Sequence, residues 1–421
     1  MKKLLILGSD YGALDIAEKA SEMGVYVVVS DLMETSPARE AADETWNIST
    51  TDTEALVKKV KEEHIDGCLA GASAFNQDMC LKLCKAAGLP HYCKKDEAWG
   101  VERDKKLFKK ICQECGMKVA TDYYLTDALT DEELNSVKFP VVVKPTDQTS
   151  SKGISFCNNK EELIAGYKYA REFSDEDHII VERRLQGVEV TAYYVLAGGD
   201  AELMYTTTSQ VEPGQPTKIY SIESLNDKYV KQYAEEVNEN AKKMLKAADC
   251  TEGTAWLQLM YDFDDKCFYA IEMGYRFAGP VTYILFEKMT GFSTSKWMVE
   301  CALGMEHTKE ELPKPLLYSK AYGASYNLFA NSDDEVYKIS GLEEIKKLDN
   351  VMVDFTKTPG SKMRLHANSG VFRILGSDCE EFCKTVDKIN STLKIENKEG
   401  KNLYIKYTDF ESLKAEYDEI H

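Results

Sequence analysis

The chain has 421 residues, enough to bury several cores, and carries a formal net charge of -19. That acidity argues against broad contact with nucleic acid or anionic membrane, so a polyanionic ligand has to be met by locally gathered positive charge. No stretch approaches the roughly 18 consecutive apolar residues of a membrane helix. The 12 cysteines follow helix faces and strands rather than a secreted framework, so a soluble, cytoplasmic protein with free thiols is expected.

The opening MKKLLILGSDYG reads as a buried strand over residues 3–7, because the apolar run stops at Gly8 and Asp10. Residues 25–30 and 67–70 read as further strands, and helical patterns at 13–23 and 53–63 separate them, which predicts a parallel α/β sheet. The GSDYG turn with Asp31 is not a GxGxxG phosphate turn, so dinucleotide binding is not expected. Over 97–116 the spacing predicts one helix with Val101, Lys105, Phe108, Cys112 and Cys115 on a shared face. Lys105 is the odd member, either snorkelling at the edge of that face or reaching an anion. Cys112 and Cys115 form the single CxxC and are assigned to the core, since no second pair completes a zinc set.

Residues 138–144 (KFPVVVK) predict a strand ending on Lys144, followed by the loop PTDQTSSKG and the strand ISFC. Further strands at 178–185 and 188–196 make this middle region antiparallel-rich, and a helix follows near 227–248. KPLLYSK marks a boundary, beyond which strands mix with helices at 342–348 and 378–392. The stretch 254–273 reads as a hairpin turning through residues 264–266, which places Gln258 opposite Glu272. With period two, that face continues through Gly274 and Arg276. A carboxylate such as Glu272 among apolar neighbours needs a partner, either a buried ion pair with Arg276 or a cation. The hard oxygens of Gln258 and Glu272 suit Mg²⁺, which keeps waters and borrows phosphate oxygens. Lys144 before a loop rich in Ser, Thr and Gly suits phosphate binding, although an ordinary turn with an exposed lysine has the same pattern. The six histidines are scattered and assigned surface or core roles.

Taken in order, Asp104-Lys105, FPVVVK, the phosphate-type loop, IIVERRLQGVEVT, Gln258 and FYAIEMGYR resemble the ATP-grasp superfamily from about residue 1 to 400. The resemblance implies an ATP-grasp fold of mixed α/β and α+β class. Residues 1–98 would form an N-terminal Rossmann-like, parallel α/β pre-ATP-grasp domain. Residues 99–312 would form the ATP-grasp domain, with a mobile small lobe at about 120–185, and 313–421 a small C-terminal α+β domain. It implies ATP and Mg²⁺ as cofactors, with Mn²⁺ as a substitute metal. Lys105 and Lys144 resemble the lysines that hold the nucleotide phosphates, with Ser150, Ser151 and Gly153 in the loop around them. The hinge that bonds adenine resembles residues 182–185, here Glu182, Arg183 and Leu185 in particular. Glu189 resembles the ribose acid, Met260 the apolar residue beneath adenine, Gln258 and Glu272 the metal ligands. Arg276 resembles the catalytic arginine that steadies an acyl phosphate.

The late motif of the family reads Glu-x-Asn-x-Arg, and here Gly274 replaces the asparagine that ligates a second metal. The N-terminal third is similar to the subgroup of biotin carboxylase, carbamoyl-phosphate synthetase and the purine-pathway ligases, through SDLMETSPAREAAD, but AGASAFNQ lacks their acidic substrate motif. The resemblance implies an ADP-forming ligase that joins small-molecule carboxylate and amine substrates through an acyl phosphate, with no nucleic-acid or membrane partner and a homodimer as assembly. The alternatives are a bicarbonate-dependent carboxylase of an amine, a small-molecule kinase, or a non-catalytic nucleotide-binding regulator. Residues 205–221 read as a long connection over the site. Arg364, in a stretch expected to form a hairpin flanking the site, is a candidate for holding a substrate carboxylate.

Overall fold

The computed structural model describes residues 1–33, 36–146, 153–174, 179–216, 219–225 and 228–420. The N-terminal unit is a four-stranded parallel sheet in the order Glu44–Trp46, Tyr26–Ser30, Lys3–Leu7, Gly67–Ala70. Its apolar runs are unbroken because apolar cores cover both faces of the sheet. The helices Tyr11–Glu22 and Thr53–Glu62 begin where Asp10 and Asp52 accept backbone N–H groups. The short strand Glu44–Trp46 has no sequence counterpart in the reading above, being too brief to show a period.

The single helix expected over 97–116 is two helices, Asp96–Arg103 and Lys105–Glu114. Asp104 is extended, and its carboxylate accepts from Lys106 N at 2.9 Å and Leu107 N at 3.0 Å. This side-chain bond competes with the helix ladder and restarts it, so Lys105 stands at a helix N-terminus rather than mid-helix.

A three-stranded antiparallel sheet, Ser155–Cys157, Val141–Pro145, Ile179–Arg183, carries the helix Lys160–Arg171 over its own apolar core. Beside it runs an eight-stranded antiparallel sheet in the order Cys267–Gly274, Gly253–Asp262, Gly187–Ala197, Asp200–Val211, Tyr220–Ser224, Tyr322–Phe329, Asn368–Gly376, Val351–Asp354. This sheet runs unbroken across residue 312, joined where Ile222 pairs with Tyr326.

The stretch 205–221 is mostly strand rather than connection, within Asp200–Val211 and Tyr220–Ser224. The β-branched run Thr206, Thr207, Thr208 is buried in a sheet interior, which favours a ladder over a loop. Lys362–Met363 and Asn368–Gly376 do not pair with each other as a hairpin; the first pairs with Asp334–Glu335 and the second with Tyr322–Phe329 and Val351–Asp354. All twelve cysteines are unpaired, and no described helix is long and apolar enough to cross a membrane. Replacing Asp104 by Ala is expected to lower stability by about 1 kcal/mol, with Asp104→Asn retaining most of it, as read by thermal unfolding.

Candidate functional site

Gln258 lies directly opposite Glu272, as the hairpin reading places it, but the turn is longer than expected. Asp262 pairs with Cys267, leaving four residues in the loop, and a bulge between Gln258 and Leu259 brings the ladder back into the expected register. Asp262 is fully buried and holds the turn by accepting from Asp264 N at 3.1 Å and Asp265 N at 3.0 Å. It also accepts from Gln186 N and Arg183 Nη2, both at 3.1 Å, which ties the segment 182–186 to the hairpin tip.

That segment therefore forms the edge of a cavity of about 380 Å³. Lys105, Lys144, Glu182, Arg183, Leu185, Glu189, Met260, Gln258 and Glu272 all line it, with Val142, Ile154 and Phe156 supplying apolar wall. Gly153 is not among the lining residues; its φ is +73°, and a Cβ there would meet Pro145 Cγ at 2.6 Å, so it shapes the turn beside Lys144. Ser150 and Ser151 lie outside the described residues. The hinge donors are mostly taken, since Arg183 N and Arg184 N each bond a carbonyl at 3.0 Å. The Leu185 N–H, with no partner among the described residues, is left for a ring ligand.

Lys109 completes a cluster that sequence reading missed, although it lies one turn beyond Lys105 and so on the same helix face. Lys144 and Lys109 donate to opposite oxygens of Glu182, and Asp122 lies 3.8 Å from Lys109. Burial pushes the Glu182 carboxyl up, but the two ammonium groups outweigh it and hold its pKa below the usual range. The Glu182 side chain thus serves as counter-ion to both lysines rather than facing a ring ligand. Phosphate oxygens entering here would compete with it for the same donors.

On the hairpin side, the Glu272 carboxylate makes no hydrogen bond or ion pair among the described residues. Burial raises the pKa of Glu189; a hydrogen bond from Gln258 opposes that shift and the charge of Glu272 adds to it. An amide bonded to a carboxylate donates its NH₂, so the Gln258 oxygen stays available beside Glu272. Two hard oxygen donors facing a shared space, one of them an uncompensated carboxylate, fit a divalent cation.

Arg276 does not pair with Glu272. Its Nε donates to Glu102 at 2.8 Å and its Nη1 to the carbonyls of Ala72 at 2.9 Å and Phe277 at 3.0 Å. Glu102 also accepts from Tyr275 N at 2.8 Å, so a residue absent from the sequence reading braces this end of the strand. Burial raises the pKa of Glu102, with Arg276 acting against it. Arg276 lines a second cavity of about 280 Å³ that shares Glu189, Gln258 and Glu272 with the first. Glu223, Thr191, Ser209 and Tyr220 line it too; Thr191 stands on a strand the sequence predicts, whereas Ser209 and Tyr220 fall in the expected connection and Glu223 was unassigned. Arg364 is exposed and lines neither cavity.

Gly274 pairs directly with Trp256, and a Cβ at 274 would fall 2.2 Å from the indole Cε2. The indole therefore fills the space an asparagine side chain would need. The guanidinium of Arg276 lies over the same ring at 5.1 Å. Trp256 Nε1 is buried without a partner among the described residues; it can donate to an anion but cannot ligate a metal.

Residues 104–310 match the family described as "Carbamoyl-phosphate synthase L chain, ATP binding domain". The carbamoyl phosphate synthase large chain of Caldanaerobacter subterraneus is 25% identical over 349 residues, 75% of this chain and 31% of that one. The formate-dependent phosphoribosylglycinamide formyltransferase of Prochlorococcus marinus is 29% identical over 174 residues, 40% of this chain and 43% of that one. Among solved structures, L-amino acid ligase from Bacillus licheniformis superposes with a TM-score of 0.77 at 18% identity, covering 94% of this chain and 99% of that one. This chain has the ATP-grasp fold. The biotin carboxylase domain of Hydrogenobacter thermophilus 2-oxoglutarate carboxylase, in complex with MgADP and bicarbonate, gives 0.74 at 17% identity over 94% of this chain and 91% of that one. The chain spans less than half the length of the two sequence relatives named here.

Gly274→Asn is expected to cost about 1–3 kcal/mol by overpacking against the indole. Adding Trp256→Ala should recover part of that loss, a coupling that thermal unfolding of the single and double variants measures. Glu223 is fully enclosed, and burial lifts its pKa to about 7, with bonds from Thr207 and Tyr193 pulling the other way and the charge of Glu189 adding to the rise. Its stabilising contribution is full below about pH 4.5, the value for an unfolded glutamate, and is lost as pH rises through about 7. Glu223→Gln should therefore raise stability at pH 8, by on the order of 2–3 kcal/mol, and leave it nearly unchanged at pH 4.5, as read by thermal unfolding at the two pH values.

Proposed function

We propose that this protein is an ATP-dependent carboxylate–amine ligase that acts on small molecules and releases ADP and phosphate through an acyl phosphate. The observation that supports it most is the pair of joined cavities. The lysine cluster and hinge lie in one, Arg276 in the other, and Glu189, Gln258 and Glu272 line both. A reaction that moves a phosphoryl group from nucleotide to carboxylate needs this adjacency. In this reading Lys105, Lys109 and Lys144 bind the phosphates, Leu185 N–H and Met260 hold the adenine, and Glu189 meets the ribose. Gln258 and Glu272 would hold Mg²⁺ or Mn²⁺, which supplies charge neutralisation at the transferring group. Arg276, fixed by Glu102, orients the acyl oxygen. Arg276 and Trp256 both line the cavity where that oxygen would sit.

The boundaries 1–98, 99–312 and 313–421 remain part of this proposal, with the separate core under 141–183 supporting a small lobe able to move over the nucleotide. Homodimer assembly draws support from the likeness to a biotin carboxylase domain described as a dimer, and a reducing compartment from the unpaired cysteines.

Lys144→Ala and Glu272→Ala should each lower ADP release by ~100-fold or more in a screen of carboxylates and amines, alone and in pairs, with mass detection of products and a cooperative unfolding transition retained in each variant. Turnover retained in both variants overturns the assignment. The Trp256–Gly274 pair favours one second reading, a nucleotide-binding regulator, because it removes a metal ligand. Tight Mg-ATP binding with no ADP across the whole panel, bicarbonate included, would select it.

A further inference from the structure

Glu223 stands on the strand Tyr220–Ser224, in the middle of the eight-stranded sheet, and lines the Arg276 cavity while being only 3% exposed. Its Oε1 accepts from Thr207 Oγ1 and Tyr193 Oη, both at 3.1 Å. Its Oε2 is buried with no partner among the described residues. A buried carboxylate oxygen left bare is costly, and both nearby hydroxyl donors are spent on the other oxygen. What Oε2 lacks is a donor, and the cavity is where one can come from.

The rest of the wall narrows the chemistry. Ser209 lies directly opposite Glu223 in the ladder, and Tyr220 lines the same side; both carry hydroxyls that accept. Glu189 and Glu272 add negative charge to the cavity, while Arg276 supplies the positive end. The space therefore has an anion-binding pole at Arg276 and a cation-binding pole at Glu223. A primary ammonium brings three N–H donors and a charge, and matches the carboxylate with its flanking hydroxyls. A cavity of about 280 Å³ holds a small molecule bearing such a group.

We propose that Glu223 is the recognition residue for a primary ammonium group on a small-molecule substrate of this cavity. As an assignment to the substrate of a ligation, this rests on the ligase reading above; as a binding site, it stands on the geometry alone.

Glycinamide, largely cationic at neutral pH, and its neutral isostere glycolamide separate the charge from the shape. Titrated calorimetrically into the full chain at neutral pH, glycinamide should bind at least about tenfold more tightly than glycolamide. In Glu223→Gln the two affinities should fall within about twofold of each other. Equal affinities in the wild-type protein, including the case where neither compound binds, would overturn the proposal, and so would a preference that survives in the variant. A water resting on Oε2 predicts equal affinities. Mg²⁺ titrated alone that excludes glycinamide through Glu223 would also overturn it, in favour of a metal site. The wild-type comparison needs no variant to fold. Mg-ATP titrated in parallel reports on the other cavity: failure to bind it would sink the ligase reading and leave the glycinamide result standing.

Discussion

Gln258 faces Glu272 across an antiparallel ladder, and the chemistry of the cleft hangs on that pairing. Because side chains alternate, it sets Trp256, Gln258 and Met260 on one strand and Glu272 and Gly274 on the next toward the same space. A slip of one residue would turn every one of them to the other face. The bulge beside Gln258 compensates for a four-residue turn, and buried Asp262 holds that turn closed. Arg276 follows just past the strand end, where Glu102 catches it.

Charge is organised locally against the global balance. A chain of net charge -19 places three lysines at one cavity and keeps two of them, Lys109 and Lys144, on a single buried glutamate. Partly desolvated lysines without an anion would be costly, so Glu182 stabilises the cluster while leaving donors that a stronger polyanion can take over. Across the cleft the imbalance is opposite in sign. Glu189 and Glu272 lie close enough for the charge of one to raise the pKa of the other, and Glu272 has no cation among the described residues. The two walls thus ask for complementary ligands, phosphate on one side and a metal ion on the other.

Trp256 and Gly274 belong together as one physical unit. The indole occupies the volume that a side chain at 274 would need and brings a buried N–H donor to that place. Its neighbours on the sheet carry the same theme further. Glu223 sits two strands along the sheet from Gly187–Ala197, which carries Glu189, and its bare oxygen gives the second cavity a polarity that the hairpin alone would not.

Much of this was legible in the linear chain. Strand runs, the strand-end Lys144, and the Gln258 and Glu272 pairing all follow from periodicity and local turn chemistry, which depend on residues near one another. Even there, Asp104 divided a helix because its cap bond outcompeted an apolar stripe that spacing alone would continue. The partners could not be read. Glu102 with Arg276, Lys109 with Glu182, and Glu223 with Thr207 and Tyr193 join residues 16 to 174 positions apart. Such pairs exist only once strands and helices from distant parts of the chain are stacked, since no local pattern specifies which buried charge will neutralise which. The strands around residues 205–223 were hidden for a related reason. Their threonines and serine look like loop residues until the sheet on either side buries them, and it is that burial, decided by tertiary structure, that turns an apparent surface connection into a cavity wall.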